Sequence, residues 1–273
     1  MYNRQMVLNS PRNLMKNYNI KPSKGLGQNF LIDKGVLAKI TEAAEINPKD
    51  TIIEIGPGLG VLTKALAQKA RKVIAIEKDQ KMVDTLKETL KDYKNIEIIK
   101  GDALKADIPI SGKYKVVANL PYYITSPIIR RFLETKNQPS LMVLMVQKEV
   151  GQRICSKPPE MNLLAVSVQI YGRPNIIDYV SNKSFWPAPK VDSAVIKISD
   201  IVKPKGIDIY RFFKIVKAGF SQPRKQIVKN LSEVLKLDKE KAVALLSKNN
   251  IDFRRRSETL TIEEWKLLTK AFK

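Results

Sequence analysis

Thr51-Ile52-Ile53-Glu54-Ile55-Gly56-Pro57-Gly58-Leu59-Gly60 decides the fold. A short apolar, β-branched run is stopped by Gly-Pro-Gly, the pattern of a buried strand that ends in a sharp turn. Behind the turn, Val61, Leu62, Ala65 and Leu66 share one face of an amphipathic helix. The same unit then recurs. Residues 72–76 read as a second strand, and Met82, Leu86 and Leu90 space a second helix. Residues 96–99 form a third strand ending at Gly101-Asp102, and 116–118 a fourth ending at Asn119-Leu120-Pro121. Residues 141–146 are near-continuously apolar, as in a sheet buried on both faces. Strands alternating with helices in this way predict an α/β fold with a parallel, doubly wound, Rossmann-like sheet.

Beyond 150 the pattern changes. Residues 162–171 read as a helix, and 175–180 and 191–198 as strands separated by Phe185-Trp186-Pro187-Ala188-Pro189. Helices are expected at 208–220, 224–236, 239–248 and 261–272, the last opened by Thr261 and Glu264 at capping-box spacing. Lys203-Pro204-Lys205-Gly206 suits a linker. The expected organisation is a basic N-terminal arm (1–24), an α/β domain (25–202) and a smaller basic helical domain (203–273).

The chain has 273 residues, 49 Lys and Arg against 27 Asp and Glu, no His and one Cys, for a net charge of +22. Without His there is no Ser-His-Asp triad, no imidazole base and no imidazole metal ligand. Cys155 alone makes neither an internal disulfide nor a multi-cysteine zinc site, which fits a reducing cytoplasm. No metal is expected. No apolar run approaches the roughly 18 residues of a membrane span, and the N-terminus lacks the apolar stretch of a secretory signal. The charge is uneven: residues 1–24 hold five bases and no acid, and 203–256 hold 15 bases against five acids. Such clustering favours a polyanionic partner, because neutralising phosphates releases condensed counterions. A solvated, lysine-rich surface gives the same count.

Three strand ends carry candidate chemistry. The glycine loop 56–60 permits close approach of a ligand to bare backbone, although its spacing is not the dinucleotide fingerprint, and it reads equally as a tight turn with no ligand. Glu77 closes the second strand, where a carboxylate can accept both ribose hydroxyls of an adenosine. Asp102 closes the third, where it can accept the exocyclic amine of an adenine. Each is an ordinary strand-end acid if taken alone; ligands of open α/β sheets bind outside the carboxyl ends of successive strands. Asn119-Leu120-Pro121-Tyr122 follows the fourth strand. It reads as a turn, or as a site for a second adenine. The N6 amine is a poor nucleophile because its lone pair is delocalised. The Asn119 side chain and the Leu120 carbonyl would bind its two hydrogens and favour a tetrahedral nitrogen, with Tyr122 stacked on the base.

Taken together the motifs resemble the ribosomal RNA adenine dimethyltransferases, which are S-adenosylmethionine-dependent enzymes. The resemblance rests on Gly27-Gln28-Asn29-Phe30-Leu31, Glu54 to Gly60, Ile76-Glu77, Gly101-Asp102-Ala103-Leu104, Asn119 to Thr125, and Phe185 to Ser193. Phe220-Ser221-Gln222 to Leu231 and Arg256-Ser257-Glu258-Thr259-Leu260 are similar to the family's C-terminal signatures. The match runs from about residue 20 to the end, with the motifs in order.

The resemblance implies a methyltransferase domain over 25–202 and an RNA-binding helical domain over 203–273. It implies that Asn29 and Leu31 contact S-adenosylmethionine from the N-terminal segment, that Gly56 lies against its amino-acid moiety, that Glu77 holds its ribose and Asp102 its adenine. Asn119 would lie between cofactor and target, and Tyr122 and Phe185 would sandwich the flipped adenine, with Leu120 and Pro121 completing the catalytic segment. Arg224, Lys225 and Lys229 are the candidate RNA cluster, 225 and 229 being one turn apart on the expected helix. Pro223 stands where the family usually has another base. The implied partner is small-subunit ribosomal RNA or its precursor particle, met by a cytoplasmic monomer that dimethylates two adjacent adenosines. The alternatives are a large-subunit enzyme of the macrolide-resistance type and a non-catalytic assembly factor.

Overall fold

The computed structural model describes residues 11–272, which form two compact units. The first comprises residues up to 151 together with 175–201. Its centre is a seven-stranded sheet built from β2 (Thr51–Ile55), β3 (Lys72–Glu77), β4 (Ile96–Lys100), β5 (Lys115–Asn119), β6 (Leu141–Gln147), β7 (Arg173–Val180) and β9 (Ser193–Ser199). Their order across the sheet is β4-β3-β2-β5-β6-β9-β7. β2 to β6 are parallel, as expected, in the registers Ile53↔Ile74, Ile74↔Glu97, Ile53↔Val116 and Val117↔Val143. Every residue of β2 is buried, because helices cover both faces of a parallel sheet. β4, at the edge, is only half-buried.

The sheet goes beyond the parallel one read from residues 51–150. β9 runs antiparallel to β6, from Met142↔Ile198 to Gln147↔Ser193. β9 follows its other neighbour, β7, after only a 3-10 turn (Asn182–Ser184), the two-residue strand Phe185–Trp186 and loops, too short a connection for the helical crossover that a parallel return needs. Two short strands, β1 (Phe30–Leu31) and β8 (Phe185–Trp186), form a separate antiparallel pair. Through it Leu31 and Phe185 enter the core beside Ile40, Leu66, Val117 and Val143.

The expected arm at 1–24 needs correction. Residues 1–10 lie outside the described residues. Residues 11–17 form a helix, Pro11–Asn17, and Leu14, Met15 and Ile20 are buried against Phe30, Leu59 and Met82. Few charges and three apolar side chains make this stretch fit for packing rather than for solvent.

The second unit comprises 152–174 and 202–272 of the described residues. It therefore includes 152–174, which the contiguous division places in the α/β domain. Backbone bonds explain this: Met161 N–H donates to the Glu258 carbonyl and Val202 N–H to the Tyr171 carbonyl. Its helices are Leu163–Gln169, Ile209–Gly219, Ile227–Leu235, Lys239–Lys248 and Ile262–Ala271. Phe212, Val216, Leu231, Leu246, Trp265 and Leu268 are buried among them. The last helix carries the expected Thr261–Glu264 capping box.

Candidate active site

A cavity in the first unit opens at the carboxyl ends of β2, β3, β4 and β5 and is closed on one side by residues 26–31. The strand ends are aligned by ladder bonds that continue past the strands: Gly56 N–H to the Ile76 carbonyl (3.0 Å) and Gly101 N–H to the Glu77 carbonyl (2.8 Å). Asn29, Leu31, Gly56, Glu77, Asp102, Asn119, Leu120, Pro121 and Tyr122 all line this one cavity. Residues far apart in sequence thus meet as the separate motifs required.

The glycine loop turns through backbone angles that side chains avoid. Gly60 has φ +77°, and a Cβ there would stand 2.8 Å from Leu86 Cδ2. At Gly58, φ is +54° and a Cβ would meet the Phe30 ring at 3.0 Å. The loop is therefore drawn tight between strand, helix and the 26–31 segment, leaving its backbone at the cavity wall.

Glu77 is buried and organises this wall. Its Oε2 accepts from Gly58 N–H (3.2 Å), and Oε1 accepts from Lys78 N–H (2.8 Å) and Asp79 N–H (2.9 Å). Burial raises its pKa, against the pull of these three donors. Asp102 is more open. Its Oδ1 accepts from Leu104 N–H (3.0 Å) and Oδ2 pairs with Lys78 Nζ (3.0 Å), and both hold its carboxyl below the usual range. Asn119 Nδ2 donates to the Asn29 carbonyl (3.2 Å), which leaves Oδ1 as the acceptor of that amide. Tyr122 begins a 3-10 turn, half-buried, with its hydroxyl 2.8 Å from Ser193 Oγ.

Two expectations meet a different geometry. Phe185 is 3% exposed, in the core rather than among the cavity-lining side chains. Successive residues of β8 point to opposite faces, so Phe185 packs inward with Leu31 while Trp186 faces out. Arg224, Lys225 and Lys229 are all exposed, in the second unit. Lys225, however, precedes the helix, which starts at Ile227, so it does not share a helical face with Lys229. The buried Asn230 amide binds the carbonyls of Gly219 (2.5 Å) and Gln222 (3.0 Å) and holds 220–226 as a turn. Lys229 Nζ faces Glu233 Oε1 at 3.7 Å.

Glu54 carries no role in the sequence reading. It is 1% exposed, lines the cavity, and its Oε2 has no hydrogen-bond partner. A signal is nonetheless present in the sequence: it is the one charged residue of a strand otherwise made of Thr and Ile. Burial first, then the charge of Glu77, push its pKa up to about 8. The folded protein therefore holds this proton more tightly than the unfolded chain. Stability is expected to fall as pH rises from the unfolded carboxyl value, about 4.3, to about 8, and to level beyond. Glu54→Gln removes that slope. Thermal melts at pH 5, 7 and 9 should show the variant gaining on wild type as pH rises, by a few kcal/mol at ~1.4 kcal/mol per pKa unit; parallel curves would refute it.

Residues 19–268 match the family model described as ribosomal RNA adenine dimethylase. The chain belongs to this family, whose members are RNA methyltransferases. It is 46% identical, over 94% of its length and 90% of the relative's, to the ribosomal RNA small subunit methyltransferase A of Dehalococcoides mccartyi. It is 45% identical to the protein of that name in Alkaliphilus metalliredigens, over 94% of each chain. Two solved structures are similar, each at 28% identity: a dimethyladenosine transferase from Plasmodium falciparum (TM-score 0.75, 88% of this chain and 95% of that one) and the 23S rRNA methyltransferase ErmE (TM-score 0.74, 89% and 99%).

Proposed function

We propose that the protein transfers methyl groups from S-adenosylmethionine to the N6 amines of two adjacent adenosines in the 3′-terminal hairpin of small-subunit ribosomal RNA. The observation that carries this is the Asn119 amide. Its nitrogen donates to the Asn29 carbonyl, and the residue lines the same cavity as Glu77 and Asp102; we assign its oxygen, the acceptor of the amide, to the target amine.

The donor set fits the cofactor. Glu77 and Asp102 are acceptors suited to ribose hydroxyls and an adenine amine, and a side chain on Gly56 would stand 3.6 Å from Pro121 Cδ, narrowing the cradle at the amino-acid end. Asn29 and Leu31 close that cradle from the N-terminal side. When bound, S-adenosylmethionine supplies an electrophilic methyl group. The chain itself does the rest. In the first transfer Asn119 Oδ1 and the Leu120 carbonyl would accept the two N6 hydrogens, and in the second the one that remains, which localises the nitrogen lone pair and stabilises the positive charge that develops there. Each transfer would leave the cofactor as its thioether and release one N6 proton to solvent. Pro121 fixes the turn, and Tyr122 offers a stacking face to a base taken out of its helix. Phe185 would join it only by turning its ring out of the core. No metal is assigned a role.

Small-subunit RNA is favoured over large-subunit RNA by the 45–46% identity to small-subunit enzymes across nearly the whole chain. The intact Asn119–Tyr122 segment argues against a non-catalytic assembly factor. No helix among the described residues is long and apolar enough to cross a membrane; we place the enzyme in the cytoplasm, acting as a monomer during ribosome assembly. Mapping dimethyladenosine in ribosomal RNA from a strain lacking the gene tests the reading. Loss from the small-subunit hairpin, restored by complementation, is expected; an unchanged small subunit would refute it.

The helical region 203–273 is assigned to RNA. Its bonds to phosphates supply affinity and register with little base identity. Changing Arg224, Lys225 and Lys229 together to Gln is expected to flatten the dependence of log affinity on log salt by about 0.7–0.9 for each phosphate left without its cation. Cofactor binding should survive. An unaltered slope would show that these side chains meet only solvent.

A further inference from the structure

We propose that the exposed face of the first unit around Tyr179 and Lys148 is a platform for the RNA strand that flanks the target adenosine; this rests on the reading of the protein as an RNA methyltransferase. The face is linked to the site through the sheet, by way of the buried Ser193. Tyr122 is bonded to Ser193 Oγ, Ser193 pairs with Gln147 at the end of β6, and the next residue, Lys148, donates its N–H to the Asp192 carbonyl at 3.0 Å. Lys148 thus stands one residue beyond the strand pair that carries the partner of the catalytic tyrosine.

The side chain of Lys148 reaches β7, the last strand of the sheet. Lys148 Nζ lies 5.2 Å from the centroid of the Tyr179 ring, and that tyrosine is 48% exposed. Ile177, two residues earlier and so on the same side of the strand, is 42% exposed, and Val191 is 45% exposed. Bare aromatic and β-branched side chains on an edge strand invite association and are normally covered or charged.

The charge around them selects the occupant. Lys148, Lys183 and Lys190 are exposed. Of the acids at hand, Asp178 is paired with Lys39, which leaves Glu149 and Asp192, the latter also accepting from Asn182 N–H, against three ammonium groups. An exposed ring with an ammonium beside it serves a nucleotide doubly: the ring stacks a base and the ammonium meets the adjoining phosphate. A protein partner with an apolar face would gain nothing from the three lysines, so we assign the face to RNA.

The test uses the full chain and a transcribed 3′-terminal fragment of small-subunit ribosomal RNA. Tyr179→Ala is expected to weaken RNA binding about 5- to 160-fold, the range for loss of one stacked base. Tyr179→Phe, which keeps the ring, should stay within about twofold of wild type. Lys148→Gln should lower the salt slope by about 0.7, as for one phosphate of a single strand. Calorimetric S-adenosylmethionine binding should be unchanged in all three, which certifies their fold. Wild-type RNA affinity and slope in Tyr179→Ala and Lys148→Gln, with cofactor binding intact, would overturn the platform while leaving the proposed reaction standing. A change in the sedimentation of Tyr179→Ala without RNA would also overturn it, by assigning the face to a second copy of the chain. Failure of the wild type to methylate small-subunit RNA would instead strike the functional reading, and the binding measurements would still decide the platform.

Discussion

Asn119→Ala is expected to lower single-turnover methyl transfer by about 10²–10³-fold, with RNA and cofactor affinities within a few-fold of wild type. The magnitude is that of removing one preorganised acceptor or donor aimed at charge that develops only in the transition state. The split between rate and affinity follows because a neutral amine in the ground state gains little from an acceptor that the cationic, tetrahedral nitrogen needs. The geometry adds a second expectation. Asn119 is oriented by the Asn29 carbonyl at 3.2 Å. Asn119→Asp keeps an acceptor but loses the donor that fixes it, and so should recover only part of the rate. Single-turnover rates within a few-fold of wild type for the alanine variant would remove Asn119 from the chemistry.

Glu77→Ala should weaken S-adenosylmethionine binding by at least about tenfold, since hydrogen bonds to a charged group contribute roughly 1.5–3 kcal/mol each. Here the structure changes how the result is to be read. The Glu77 carboxylate also accepts from Gly58, Lys78 and Asp79, so alanine releases the glycine loop in addition to removing the acceptor proposed for the ribose. Glu77→Gln separates the two effects. It retains one carbonyl oxygen for the loop or the ligand, and its affinity should fall between those of alanine and wild type. Calorimetry gives both values, and unchanged RNA affinity serves as the control. A folded alanine variant with wild-type cofactor affinity would exclude Glu77 from the site.

The parallel core is legible in the sequence because its physics is local. β2, β3 and β6 are buried and mainly apolar, with Glu54 the exception inside β2, and each ends where a Gly, an acid or a Gln must leave the sheet. Since ligands gather at the carboxyl ends of such strands, Gly56, Glu77, Asp102 and Asn119 group together from sequence order alone. What stays hidden depends on distant partners. Nothing near Phe30 in sequence shows that it packs between Gly58 and Leu14, or that Gln28 reaches Asp79 (3.0 Å) and so ties the 26–31 segment to the cavity. The spacing of Lys225 from Lys229 is helical, but the Asn230 amide, invisible in a periodicity, delays the helix start to Ile227. Resemblance assigns Phe185 to the target base, whereas pairing of β8 with β1 turns it into the core.

The Lys78–Asp102 pair has a consequence for how the two ligands respond to the medium. An exposed ammonium rests on the carboxylate proposed for the adenine amine, so on that proposal the cofactor would compete for, or share, an acceptor that a tethered cation already uses. Electrolyte screens that tethered pair but scarcely touches a hydrogen bond to a neutral adenine. Raising ionic strength should therefore loosen the polyanion and leave the nucleoside unaffected or slightly favoured. A potassium titration that sorts the two affinities in opposite directions would be the thermodynamic fingerprint of a lysine acting as a built-in placeholder.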